Sequence, residues 1–210
     1  FQLMAFRSAV ALLPVAVLIW HAGGLRVVRS SKPGLQALRV AIGFGGMFAM
    51  YSYIAPTVTD VTGLPASAVP LFRLVFGVSG FIGNIVAGRM GDWSVIRSIV
   101  IGLVGMGVAL GVFAAVASYA VPALVVLALN AVLPSVLVIN LQLPLMQVAG
   151  SAQTLAAASN HAALNLANAL GAWLGGLVIA AGYGYRAPSV VGVGLAVLGL
   201  AILGISLLIH

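Results

Sequence analysis

The 210-residue chain has no cysteine, a single lysine (Lys32) and only two acidic residues, Asp60 and Asp92. Without cysteine, neither a disulfide framework nor a thiolate metal site can form. With its one lysine in a polar loop, there is no lysine in a hydrophobic run to carry a retinal-type Schiff base. Charged residues make up 5 % of the chain and hydrophobic residues 63 %, with a mean hydropathy of +1.24. So little charge cannot cover the surface of a water-soluble domain, and the chain reads as an integral membrane protein. Alternating polarity over ~10 residues, the mark of a membrane barrel strand, is absent. The apolar runs are continuous over ~20 residues, so they are helices that satisfy their own backbone in lipid.

What is present is mostly helix. Apolar runs fall at about 3–20, 36–58, 68–88, 98–117, 121–143, 154–181 and 187–209. Pro14 kinks the first, and Pro56 bends the second near its end. The chain opens at Phe1 with no signal peptide in view, so a fragment is expected. The net charge of +7 does not indicate a nucleic-acid partner, because the basic residues are scattered between hydrophobic runs. They orient the chain instead. Loop 21–34 carries Arg26, Arg29 and Lys32; the loop around Asp60 carries no Lys or Arg; the segment 89–97 carries Arg89 and Arg97. This puts 21–34, 89–97 and the C-terminus in the cytoplasm. Arg186, in the last connection, votes mildly against that assignment.

Polar side chains within the runs are costly unless they face protein or water. The second run holds Tyr51, Ser52 and Tyr53, and the third Arg73, Ser79 and Asn84. The fourth has none from Ile99 to Ala117. The fifth holds Asn130, Ser135, Asn140 and Gln142, the sixth Asn160, His161, Asn165 and Asn168, and the seventh only Ser189 and Ser206. From the second run onward the order is wet, wet, dry, twice over. That is a three-helix unit used twice with its third member toward lipid, and paired three-helix repeats with a site between them mark transporters.

The stretch Gly77–Arg97 organises the rest. It passes from glycine-spaced helix into a short charged hairpin, with Asp92 between Arg89 and Arg97. The segment GRMGDWSVIR (88–97) resembles the motif of the major facilitator superfamily found between helices 2–3 and 8–9, roughly G-x-L-a-D-r-x-g-r-k. Gly88, Asp92 and Arg97 match; Met90 stands for Leu, and Trp93, Val95 and Ile96 depart from it. Two further stretches, 51–71 and 160–179, look like the seventh and eleventh helix regions of bacterial sugar-efflux and drug:proton antiporters. The resemblance covers about 36–209. It implies an all-α membrane fold: helix 6 at 1–20, a cytoplasmic basic linker at 21–35, and the six-helix C-terminal bundle, a 3+3 inverted repeat, at 36–209. It further implies a multi-pass protein of the bacterial inner membrane that exports small molecules such as sugars or drugs by proton antiport and alternating access. Its partners would be lipid, substrate, protons and a missing N-terminal half. No cofactor or metal is implied.

Gly88, Arg89, Asp92 and Arg97 are the expected gating group, since a carboxylate at a span's cytoplasmic end can hold a helix N-terminus or an arginine in one state and release it in another. The bland alternative is a solvated hairpin. His161, Asn165 and Asn168 share one helical face at i, i+4, i+7, suiting either a polar substrate or interhelical hydrogen bonds. Tyr51 and Tyr53, two apart, point to different sides, one toward a cavity and one toward the interfacial aromatic belt. Asn84, Asn130 and Asn140 complete the expected substrate cavity. Arg73 either snorkels to the outer surface, pairs with Asp60 or binds an anionic substrate. Pro134 and Pro144 either make the fifth run a moving gate or kink it for packing.

Two other classes compete. Gly77-Val-Ser79-Gly80 matches the GxSG of rhomboid-type intramembrane serine proteases, with His161 as a partner, but the glycine expected three residues after the histidine is Leu164. A truncated membrane scaffold without transport activity is the other. No titratable carboxylate lies within a run, so a proton-coupling group is expected in the missing half.

Overall fold

The computed structural model describes residues 33–148 and 153–208. The first run and its basic loop lie outside the described residues. Six long helices follow: α1 Pro33–Ser52, α2 Val69–Trp93, α3 Val95–Val116, α4 Ala120–Val148, α5 Gln153–Ala180 and α6 Ala187–Leu208. Prolines stand in the first turns of α1 (Pro33), α2 (Pro70), α4 (Pro122) and α6 (Pro188), where no intrahelical N–H partner is required. Among the described residues, four helices are long and apolar enough to cross a membrane. The protein is therefore an all-α membrane protein.

α1 does not stop cleanly. At Tyr53 the backbone leaves helical geometry (φ −111°, ψ 18°), a single turn follows at Ile54–Pro56, and a π-helical turn covers Thr57–Val61. Pro56 has no N–H for the carbonyl of Ser52 and its ring crowds that carbonyl, which accounts for the break. A short 3₁₀ turn, Ala66–Ala68, leads into α2.

The heaviest packing joins α1 to α5 and α6, α4 to α2 and α3, and α3 to α6. Exchanging α1, α2 and α3 for α4, α5 and α6 leaves this set of pairs unchanged. The close approaches follow the same exchange. A Cβ on Gly105 would meet Leu133, and one on Gly192 would meet Gly46; the two contacts differ by one displacement (192 − 105 = 87; 133 − 46 = 87). Likewise Gly83 abuts Val132 on α4, and Gly171 abuts Gly45 on α1 (171 − 83 = 88; 132 − 45 = 87). Small residues at these crossings let backbones touch, which is how helices associate in lipid where burial of apolar surface supplies no force.

The core runs through the middle of the bundle, with Met50, Ile54, Phe72, Met106, Leu110, Phe113, Leu127 and Leu137 almost fully covered. α3 and α4 are the more enclosed helices, α2 and α5 the less. This qualifies the wet/dry expectation: α3 is held between α4 and α6, and it is the polar helices α2 and α5 that leave the broadest faces open. Beyond Arg97 in its first turn, the face that α3 exposes is apolar, with Val104, Val108 and Val112, and so is that of α6 over 187–202, with Val190, Val197 and Leu198.

Candidate functional site

The charged segment is not a hairpin loop. α2 continues through Gly88, Arg89 and Asp92 to Trp93, and α3 begins at Val95, so a single residue, Ser94, makes the joint. Ser94 is extended (φ −171°, ψ 114°), and its hydroxyl accepts from the Arg97 N–H at 3.4 Å, capping α3. The Met90 carbonyl accepts the last helical bond of α2, from the Ser94 N–H at 3.0 Å, and a second from the Ser98 hydroxyl at 2.7 Å. Ser98 is fully buried and also donates to Ser94 O at 2.7 Å. One buried hydroxyl therefore staples the two helices at a fixed angle.

That staple presents the charges. Arg89, Asp92 and Arg97 are all exposed, and the Arg97 guanidinium lies 5.2 Å from the Trp93 ring centroid. Asp92 occupies the last turn of α2, where the helix dipole disfavours a carboxylate. Helix stability does not explain its place. Among the described residues Asp92 forms no ion pair or hydrogen bond. Gly88 faces open space, with nothing within 4 Å of where a Cβ would sit.

The other expected residues scatter into distinct environments. Tyr51 and Tyr53 do diverge, but both dock on helices. Tyr51 stacks on Phe76 of α2 (centroids 4.1 Å apart), and the Tyr53 hydroxyl donates to the Ala172 carbonyl of α5 at 2.8 Å. Asn140 is fully buried and donates from Nδ2 to Ala87 O on α2 at 3.1 Å and to Val136 O at 2.9 Å. Asn130 is fully buried and donates to Val126 O at 3.1 Å within its own helix. The Oδ1 of each is buried without a donor. Asn84 and His161 are exposed, while Asn165 and Asn168 are half-buried. Arg73 is exposed, and Asp60 takes its hydrogen bond from Thr59 at 2.6 Å rather than pairing with Arg73.

Sequence reasoning passed over Ser98 and noted Ser135 and Asn160 only as polar residues of their runs, without a role. Ser98 was missed because it stands just before the apolar stretch of its helix. Ser135, which donates to Gly80 O on α2 at 3.3 Å, carries the α2–α4 contact beside Gly83. Asn160 is buried with Nδ2 unpaired. Its burial beside an exposed His161 was the available signal, since adjacent helical residues face different ways. Ser79 and His161 lie on α2 and α5, which pack chiefly on α4 and α1, and this gives no support to a serine–histidine pair.

No family model matches the chain. Full-length relatives do. The chain is 36 % identical over 169 residues to the inner membrane transport protein YdhP of Escherichia coli strain K12, covering 77 % of the chain and 42 % of that protein. It is 31 % identical over 158 residues to the uncharacterized MFS-type transporter YtbD of Bacillus subtilis, covering 73 % of the chain and 40 % of that protein. It is 32 % identical over 87 residues to the purine ribonucleoside efflux pump NepI of Shigella sonnei, covering 40 % of the chain and 21 % of the pump. The chain spans about two fifths of the length of the first two.

Proposed function

The chain belongs to the major facilitator superfamily, matching the C-terminal half of its transporters, and on that premise we propose that it is the C-terminal transport half of an inner-membrane efflux protein working by alternating access. In this reading 1–20 is helix 6, 21–35 a cytoplasmic linker and 36–209 the six-helix domain, with the C-terminus cytoplasmic. The exchange symmetry of the packing supports an inverted repeat. A three-helix unit has an odd number of crossings, so its second copy must enter from the opposite face.

The observation that carries the proposal is the contrast between open faces. Those of α2 and α5 bear Arg73, Asn84, Asp92 and His161, whereas beyond Arg97 at its start the face of α3 is apolar, as is that of α6 over 187–202. A half needs this arrangement if α2 and α5 border a partner half and a wet cavity while α3 and α6 border lipid. Asn84, Asn165 and Asn168, exposed or half-buried, then supply polar contacts in a mostly apolar cavity, with the fully buried Asn130 and Asn140 behind them. Gly88, Arg89, Asp92 and Arg97 form the cytoplasmic gate. The named activity of one relative, purine ribonucleoside efflux, makes nucleosides candidate substrates beside sugars and drugs.

The test is efflux by the full-length protein in inverted membrane vesicles, with labelled purine ribonucleosides, pentoses and ethidium. Uptake of at least one that collapses when nigericin removes the pH gradient is expected. Uptake indifferent to nigericin would remove the antiport claim, and no uptake of any of these would overturn the efflux reading.

A further inference from the structure

The two three-helix units fill equivalent seams with different side chains. Tyr51 of α1 and Phe76 of α2 are both half-buried and stack across the seam between their helices, with centroids 4.1 Å apart and ring planes 25° from parallel. The helices themselves pack chiefly elsewhere, α1 on α5 and α6, and α2 on α4. The displacement that relates the units carries Tyr51 to Val138 on α4 (138 − 51 = 87) and Phe76 to Leu164 on α5 (164 − 76 = 88). Val138 and Leu164 are also half-buried and packed on the core. Two aliphatic side chains thus suffice for this position in the fold, and the aromatic stack departs from the repeat. Such departures are expected where a site, and not the fold, sets the residue.

Two further features stand beside the pair. Among the described residues the Tyr51 hydroxyl makes no hydrogen bond, whereas the Tyr53 hydroxyl donates to Ala172 O. A tyrosine withdrawn from water normally finds a partner for its hydroxyl. Arg73, exposed, lies one turn before Phe76 on α2, and Asp60 does not pair with it.

We propose that the Tyr51–Phe76 stack is a substrate subsite that takes an uncharged planar heteroaromatic ring. This rests on the transporter reading above, which sets α2 at the border of the cavity. With the centroids 4.1 Å apart no third ring fits between the two, so a ligand ring lies against the open side of the pair. Aromatic side chains bind flat π-systems through either face, and a saturated sugar ring gains less from them. The free Tyr51 hydroxyl donates to or accepts from the ring's edge, which favours a heteroaromatic ring over a hydrocarbon. Arg73 makes the vicinity positive, which selects against planar cations.

The test is equilibrium dialysis of the purified full-length protein in detergent against labelled adenosine and labelled ribose, which differ by the ring alone. Adenosine is expected to bind about tenfold more tightly than ribose, the effect of one stacked base. Tyr51→Leu and Phe76→Leu should each remove most of that preference, and Phe76→Tyr, which keeps a ring, should retain it. Tyr51→Phe should keep the preference but weaken adenosine about threefold through the lost hydroxyl. Unlabelled ethidium, flat but cationic, should displace adenosine about tenfold less well than adenosine itself, and Arg73→Gln should narrow that gap. No difference between adenosine and ribose, or leucine variants that melt at the parent temperature and keep the preference, would overturn the subsite. Ethidium displacing as well as adenosine would overturn the choice of an uncharged ring. Ring-selective binding with no flux of any compound in vesicles would tell against the transporter reading and leave the subsite standing.

Discussion

Tyr53 and Asn140 stand 87 residues apart (140 − 53) and make matching contacts. The Tyr53 hydroxyl ties α1 to the Ala172 carbonyl of α5 at 2.8 Å, and Asn140 Nδ2 ties α4 to the Ala87 carbonyl of α2 at 3.1 Å. The separation equals the displacement that relates Gly105 to Gly192 and Gly46 to Leu133. Two different side chains thus hold equivalent helix pairs at opposite ends of the bundle. Tyr53→Phe and Asn140→Ala should each destabilise the full-length protein by about 0.6–1 kcal/mol, the measured range for interhelical hydrogen bonds in membranes. Thermal unfolding in detergent reads this, and an unchanged midpoint in both variants would show that the bonds hold nothing.

Gly83 and Gly88 lie on the same helix and should respond oppositely to alanine. A Cβ at Gly83 would sit 2.8 Å from Val132 Cα and 2.9 Å from Ser135 Cβ, so α2 and α4 must part. Gly83→Ala should cost about 1–3 kcal/mol. At Gly88 there is open space, and alanine should leave stability unchanged or raise it by up to about 1 kcal/mol through helix propensity. If Gly88 belongs to the gate, Gly88→Ala should still cut flux about tenfold, because another surface closes on that space. Stability and flux measured on both variants separate the two roles.

Asp92 offers the clearest test of the gate. It is exposed at the unfavourable end of α2's dipole. Asp92→Asn should therefore leave the unfolding midpoint in place or raise it slightly, by about 0.3–1 kcal/mol. Flux should fall sharply. Unimpaired flux would reduce the segment to a solvated joint.

Asn130 is fully covered, with its Oδ1 lacking a donor. Asn130→Leu removes that unpaired acceptor at similar volume and should stabilise the fold by about 1 kcal/mol. If Asn130 serves the substrate, transport should drop at the same time, the exchange of stability for function expected at a site. A stable variant with normal flux would take Asn130 out of the cavity.

Much of the fold was legible because lipid permits few solutions. Each run from α1 to α6 appeared at nearly its full length, and the prolines in the first turns marked helix starts. The misreadings were local. Arg89, Asp92 and Arg97 looked like a loop because charge in an apolar chain resembles one. Yet the backbone stayed helical, with Ser98 closing the joint from eight residues beyond Met90. Tyr51 and Tyr53 looked like one cavity and one belt residue, and nothing in the chain signalled that the Tyr53 hydroxyl would meet a carbonyl on α5, 119 residues away.

By itself the sequence determined the membrane setting, the helices and their family, because a segment's hydropathy and its backbone's need for internal hydrogen bonds are local properties. It also determined the repeating order of polar and apolar spans. Which helices would touch was decided only by the tertiary structure. Association in lipid depends on close fit between small residues such as Gly45 and Gly171, and such fit is a property of two surfaces. The same holds for the bonds from Asn140 to Ala87 and from Thr62 to Ala117, whose partners lie more than fifty residues from each donor.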